Sequence, residues 1–408
     1  MIKDRRAGTL QGIVLILPIT LSTMGSVLLA PIVPQLMQAF GHIENANYWV
    51  PLLLSLPALC IALGAPLAGY IADKVGRRQL LIASMFVYAV CGVSPLFLDS
   101  YWMVFGSRLL VGVCEAFLMT CSTTLIGDYF KGDDRNKWLG SQAAVASLTA
   151  MCLFPLAGYL GATYGWKGPF ALYALSLPLA VMTILFTWET GSQSDEEVQS
   201  ETRVTKHVNR FPWGHMGTVC GFTLIGGILF YLLQFQMAAA LGEFDIDNSA
   251  ITGWLLSFAS IGVPMGAIAY RYIHQWLGLK NLIALEFGIL ALGFFSMASA
   301  PDYKIFVAAG FLNQFGAGML LPTMLTWAVK PLSHAVRARG AGIWQSTFAT
   351  GQFVTTLVFA WVLANLANGS HLESFRVFAG VALAMFVISI VTLPKKNSGI
   401  NSAIKNGA

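Results

Sequence analysis

Twelve long apolar stretches, separated by short segments that hold most of the charge, fix what this chain can become. They fall near residues 11–39, 48–72, 79–97, 101–128, 137–160 and 167–189. The second set is 213–241, 250–274, 281–299, 302–329, 338–365 and 373–393. A helix needs about 20 mostly apolar residues to cross a bilayer, and each stretch is close to or beyond that length. In lipid every backbone polar group must be satisfied within the protein, which leaves helices for runs of this kind. Composition agrees. Of the 408 residues, 56% are hydrophobic and 11% are charged, whereas soluble domains carry about 25% charged residues. The chain has too little charge to cover a water-soluble surface. The expected fold class is therefore an all-α membrane protein with twelve transmembrane helices.

The basic residues orient it. With the N-terminus inside, 20 of the 24 Lys and Arg fall in cytoplasmic segments. Lys167, Lys304 and Arg376 fall outside, and Arg108 lies within a span. This asymmetry follows the positive-inside rule. Both termini are expected in the cytoplasm, and the net charge of +5 reflects orientation. It calls for no nucleic-acid partner. The opening "MIKDRRAGTLQGIVLILPITLSTMG" has a basic start, but its apolar run outlasts a signal-peptide h-region and lacks a clear cleavage site. It is expected to be a retained first helix.

The polar run "ETGSQSDEEVQSETRVTKHVNRFP" has no apolar period and fits a linker. It divides the chain into an N-terminal six-helix half (1–189), a cytoplasmic linker (190–212), a C-terminal six-helix half (213–394) and a short tail (395–408). Gly106 and Gly112 in span four echo Gly310 and Gly316 in span ten. Such parallel repeats place a substrate site between the halves near the midplane. The cysteines Cys60, Cys91, Cys114, Cys121, Cys152 and Cys220 lie in apolar stretches without a CxxC pair. They suit packing and imply neither disulfides nor a metal. No phosphate-binding glycine loop, zinc spacing or nucleophile constellation is present. Neither enzyme activity nor a cofactor is expected.

Two motifs carry chemistry. "GYIADKVGRR" joins spans two and three. Gly69 would let another helix approach, Gly76 permits a tight turn, and Asp73, Arg77 and Arg78 sit at the membrane edge, where Arg pairs with carboxylates. In span four, "RLLVGVCEAF" sets Arg108 and Glu115 seven residues apart, on one helical face and about 10 Å apart along the axis. Glu115 falls near the midplane, where a charge costs at least ~2.5–3.5 kcal/mol. Three roles are open to this pair: a structural tie between helices, a substrate-binding charge, or a proton-carrying carboxyl tuned by Arg108.

The loop resembles the signature G-x-L-A-D-R-x-G-R-R of the major facilitator superfamily, matching at Gly69, Ala72, Asp73, Gly76, Arg77 and Arg78. The resemblance implies a rocker-switch transporter in the inner membrane, with a small-molecule substrate and protons as partners and the lipid bilayer as its solvent. A monomer is expected. It also implies that this loop is a conformational latch, with Asp73 near Arg339 to Ala341 at the start of span eleven when the cavity faces out. Asp128 would pair with Arg77 or Arg78. The R-x-x-x-G of Arg108 and Gly112 resembles a signature of proton-coupled exporters. The form containing Glu115 also looks like spinster-type lipid transporters and organic-anion symporters. Around Pro155 the antiporter signature is degenerate, with Ser141, Ala150 and Phe154 in place of glycines. The leading expectation is a proton-coupled exporter of small amphipathic compounds. The alternative is a carrier of an organic anion or lysolipid that uses Arg108 and Glu115, and a third is a non-transporting sensor on the same scaffold. Tyr231, Gln234, Asn313, Gln314, Gln345 and Gln352 are candidates to line the substrate cavity or to bond neighbouring helices. Trp254 and Trp344 could supply aromatic walls or pack toward lipid. Glu286, near Lys280, is expected at the membrane interface.

Overall fold

The computed structural model describes residues 7–189 and 211–392. The linker and tail assignments fall largely outside the described residues. Among the described residues twelve membrane-crossing helices follow one another. The first six are α1 (Thr9–Phe40), α2 (Ala46–Val75), α3 (Arg77–Phe97), α4 (Tyr101–Tyr129), α5 (Gly132–Tyr164) and α6 (Gly168–Phe186). After the linker come α7 (Trp213–Phe244), one apolar helical stretch Ser249–Ala298, α10 (Tyr303–Val329), α11 (His334–Asn365) and α12 (His371–Thr392).

The stretch Ser249–Ala298 is two crossings. At Gly278 φ is +67°, a left-handed conformation that a residue without Cβ adopts at no steric cost. On the N-terminal side, Gly262 lies against Phe311 and Gly266 against Phe315, so this segment runs parallel to α10. On the C-terminal side, Ile289 lies against Gly316 and Gly293 against Asn313, so the chain has reversed. Residues 249–277 are α8 and residues 279–298 are α9. This count agrees with the twelve spans expected from the sequence.

Helix starts show their causes. Asp302 accepts hydrogen bonds from the Lys304 and Ile305 amides at 2.8 and 2.9 Å, which caps α10. Asn248 does the same for Ala250 at the start of α8. These side chains satisfy amides that a helix leaves unpaired in its first turn. Prolines bend α1. Pro18 starts its second segment, and a 3₁₀ turn at Ala30–Ile32 contains Pro31, as expected where proline removes a backbone donor.

The first six helices meet the last six along two seams, α2 with α11 and α5 with α8. The side-chain hydrogen bonds across them lie in the membrane half away from the α2–α3 loop. Ser55 and Thr356 are 2.7 Å apart, Gln352 donates to Ser26 at 2.8 Å, and Ser249 donates to the Gly158 carbonyl at 2.9 Å. A Cβ on Gly158 would lie 2.2 Å from the Ser249 carbonyl oxygen, so α5 and α8 touch backbone to backbone. Toward the α2–α3 loop the halves part. Leu67 and Tyr70 of α2 are exposed, and nothing lies within 4 Å of a Cβ built on Gly69. The molecule is sealed on one face and open on the other.

Candidate functional site

Arg108 lies in α4 and is 1% exposed. Its Nε donates to the Leu53 carbonyl of α2 at 3.1 Å. One terminal nitrogen donates to the Tyr173 hydroxyl of α6, and the other to the Gly25 carbonyl of α1. The guanidinium also sits 5.6 Å from the Tyr173 ring centroid. One side chain therefore joins four helices. A planar fork with five donors suits this role. Tyr173 is held by stacking on Phe170 and by contact with Tyr88, whose hydroxyl donates to the Leu21 carbonyl at 2.5 Å.

Glu115, two turns further along the same face, is fully buried. Neither carboxyl oxygen accepts a hydrogen bond of good geometry among the described residues; the Tyr88 hydroxyl lies close by but donates to the Leu21 carbonyl. No ion pair joins it to Arg108, yet both meet α1 at Gly25. A Cβ on Gly25 would lie 1.6 Å from Glu115 Oε1, so the carboxyl occupies the space that the missing side chain leaves. An ionised carboxylate without partners in such a place costs several kcal/mol. Gly112, between the pair in sequence, packs on α2, with its Cβ position 2.6 Å from the Pro57 Cα.

The polar candidates of the second half separate. Gln234 donates to Gln314 at 3.3 Å, and Gln314 donates to the Phe230 carbonyl at 3.4 Å, which ties α7 to α10. Gln352 reaches across to Ser26 in the other half. Gln345 is half-buried on the same side of α11. Tyr231 stacks with Phe235 at 5.5 Å and touches Phe348 at 5.5 Å. Phe348 stacks in turn on Trp344 at 5.8 Å. The buried Trp344 Nε1 has no partner among the described residues. Asn313 bonds a neighbouring helix. It is fully buried and donates to the Leu290 carbonyl of α9 at 3.3 Å. Trp254 is 68% exposed on α8.

At the open face Arg77 Nη1 donates to both Asp128 oxygens at 2.7 Å. Arg77 Nη2 also donates to Asp73 at 2.8 Å. Arg78 turns the other way, to the Thr187 hydroxyl and the Ile184 carbonyl at the end of α6. Gly76 makes the turn between α2 and α3 with φ of +103°. Asp73 is 62% exposed, and no contact with Arg339 accompanies it in this open arrangement. Gly69 likewise has no helix against it here, because the halves diverge on this side.

Sequence reasoning missed two features. Glu286 is not interfacial: it is fully buried and accepts from the Thr323 hydroxyl of α10 at 2.5 Å. Gly278 ends α8, so Glu286 stands two turns inside α9, and burial against α10 hides it from water. Gly25 carried no signal of its own. Its role comes from facing Arg108 and Glu115 together.

Twelve apolar helices, sealed on one face and open on the other around buried charges, define a multi-pass membrane transporter. Residues 15–304 match the Major Facilitator Superfamily, and the chain belongs to that superfamily. It is therefore a transporter and not an enzyme. It is 27% identical over 368 residues to the tetracycline resistance protein, class C, of Escherichia coli, covering 85% of this chain and 89% of that protein. It is 22% identical over 393 residues to the bacillibactin exporter of Bacillus subtilis (strain 168), covering 92% and 94%. The fold is similar to the crystal structure of a D-xylose-proton symporter, with a TM-score of 0.80 at 13% identity, covering 94% of this chain and 97% of that one.

Proposed function

We propose that this transporter exports small amphipathic organic compounds across the bacterial inner membrane in exchange for protons. Glu115 carries the proton. The observation that supports this most is the buried Glu115 carboxyl with neither oxygen paired. Such a group is tolerable when neutral and costly when charged. It can release a proton when rearrangement of α1 about Gly25 admits water or a cation. Binding and release on opposite faces would couple proton entry to the switch between open states.

The remaining parts take these roles. Arg108 fixes α1, α2 and α6 around the proton site. Three of its five N–H groups already donate within the protein and the side chain is buried, which argues against Arg108 as the ligand for an organic anion. Tyr231, Gln234, Gln314, Gln345 and Gln352 line or brace the substrate path, with Trp344 as a further wall. Gly69, Asp73, Gly76, Arg77, Arg78 and Asp128 form the latch, which engages when the open face closes. The asymmetry of basic residues puts that face, both termini and the 190–212 linker in the cytoplasm. The arrangement described is then the cytoplasm-open one, and the chain acts as a monomer of two six-helix halves.

The test uses protein reconstituted into vesicles with an imposed pH gradient. Glu115→Gln keeps the volume and hydrogen bonding of the side chain and cannot titrate. It should abolish gradient-driven accumulation while leaving counterflow of substrate without a gradient. Accumulation at the wild-type level by this variant would remove Glu115 as the proton carrier.

A further inference from the structure

We infer that the groove between α7 and α11 is a binding site for an acidic phospholipid, with its phosphate on Arg339. A cavity of about 670 Å³ opens there, lined by Leu224 of α7 and by Arg339, Gly342, Ile343, Ser346 and Thr350 of α11.

The groove faces lipid, away from the substrate path. On α11, Gln352 points to Ser26 in the other half. Ile343 is nine residues from Gln352, which at 100° per residue puts it on the opposite side of the helix, and Thr350 is displaced by about 200°. On the remaining faces, Phe348 and Gly351 lie against Gly227 of α7, while Ala349 packs with Ile61 and Ala62 of α2. The side left over carries the groove. Beyond Leu224 the same face of α7 is smooth, because Gly221 and Gly217 lie three and seven residues before it. Nothing lies within 4 Å of a Cβ built on either, nor on Gly342. An acyl chain fits against such a wall.

The polar groups are arranged for a lipid rather than for water. Thr350 donates to the Ser346 carbonyl and Thr347, which also lines the groove, to the Ile343 carbonyl, each at 2.8 Å within α11. Both threonine hydroxyls are therefore satisfied, which leaves the Ser346 hydroxyl as the polar group in the middle of a groove that otherwise tolerates hydrocarbon. Arg339 lies at the open-face end of the groove, in the second turn of α11. It is exposed and pairs with no carboxylate among the described residues. The Phe211 and Trp213 rings hold its guanidinium at 4.9 and 5.1 Å from their centroids. Trp213 is 60% exposed, as an indole at the headgroup level would be. A cation fixed by two rings at the mouth of an apolar groove matches a molecule with a phosphate and a hydrocarbon tail. Arg also suits phosphate through its planar fork. Assigning the lipid to the inner leaflet rests on the orientation proposed above. The binding itself does not.

The purified transporter tests this with dioleoyl-phosphatidylglycerol and dioleoyl-phosphatidylcholine as probes. Lipids retained are counted by native mass spectrometry, and the unfolding temperature is followed in detergent. The wild type should prefer phosphatidylglycerol about five-fold, the preference one basic residue near a membrane surface supplies, and should be stabilised by it. Arg339→Gln should lose the preference, and Arg339→Lys should keep most of it. Leu224→Trp, which fills the groove, should lower retention of both lipids. Lys330→Gln, a basic residue at the same face outside the groove, should change nothing. Three results would overturn the assignment: an unchanged preference in Arg339→Gln, equal loss in Lys330→Gln, or the same stabilisation by soluble glycerol phosphate. A failure of proton coupling in Glu115→Gln leaves this result standing, since no pH gradient is involved.

Discussion

Replacing Arg108 asks why a membrane helix carries an arginine at all. In the structure it makes three hydrogen bonds to three other helices. Charge-assisted hydrogen bonds contribute roughly 1.5–3 kcal/mol each, so three give an upper bound of about 4.5–9 kcal/mol. Two adjustments apply. The first concerns Leu53, which gains nothing from its own helix: Pro57 stands four residues on and has no N–H, so losing Arg108 leaves that carbonyl unpaired and its share falls at the upper end. Removing the guanidinium also relieves its own burial, about 2.5–3.5 kcal/mol on insertion scales. The net expectation for Arg108→Met is a destabilisation of about 2–5 kcal/mol. Arg108→Lys should be nearly as damaging, because a single ammonium cannot reach three acceptors spread over three helices. The assay is urea unfolding in mixed micelles, followed by tryptophan fluorescence, alongside substrate binding to the folded fraction. Both variants should unfold at lower denaturant while the folded fraction keeps its substrate affinity. If Arg108→Met unfolds with the wild type and instead loses substrate affinity by a factor of ten or more, Arg108 is a ligand and the tie between helices is incidental.

Other outcomes follow from the same geometry. Gly158→Leu cannot be accommodated 2.2 Å from the Ser249 carbonyl. It should prevent the sealed face from closing, stop transport, and make a cysteine at Gln35 reactive to an impermeant thiol reagent in a cysteine-depleted background. Thr323→Val takes from Glu286 its one hydrogen-bond donor among the described residues. Stability should fall by about 1–3 kcal/mol in the same unfolding assay, and adding Glu286→Gln should recover part of the loss. Asp128→Asn weakens the half-buried pair with Arg77. Turnover in vesicles should drop several-fold with substrate affinity unchanged, and a loss confined to affinity would contradict a latch.

Much of the architecture was legible because lipid is a demanding solvent. A run such as 101–128 must be a helix in a bilayer, so counting apolar runs gives the spans. The α2–α3 loop was legible through its spacing. The site was legible only in part. Asn313 and Gln314 are neighbours in sequence, and a 100° step along α10 sends one to α9 and the other to α7. No local pattern decides between them. Glu286 looked interfacial because Lys280 is near in sequence, but depth depends on where Gly278 ends α8.

The sequence by itself determined that the chain spans a membrane twelve times and that Arg108 and Glu115 share one face of one helix. Both follow from local rules, the length of an apolar run and the pitch of a helix. Only the tertiary structure decided that Arg108 ties four helices together while the Glu115 oxygens accept no hydrogen bond among the described residues. The partners of Arg108 are two backbone carbonyls and a hydroxyl on three other helices. Every residue has a carbonyl, so composition cannot mark the ones that matter. The empty space at Gly25, where the Glu115 carboxyl rests, exists only once α1 and α4 are packed together.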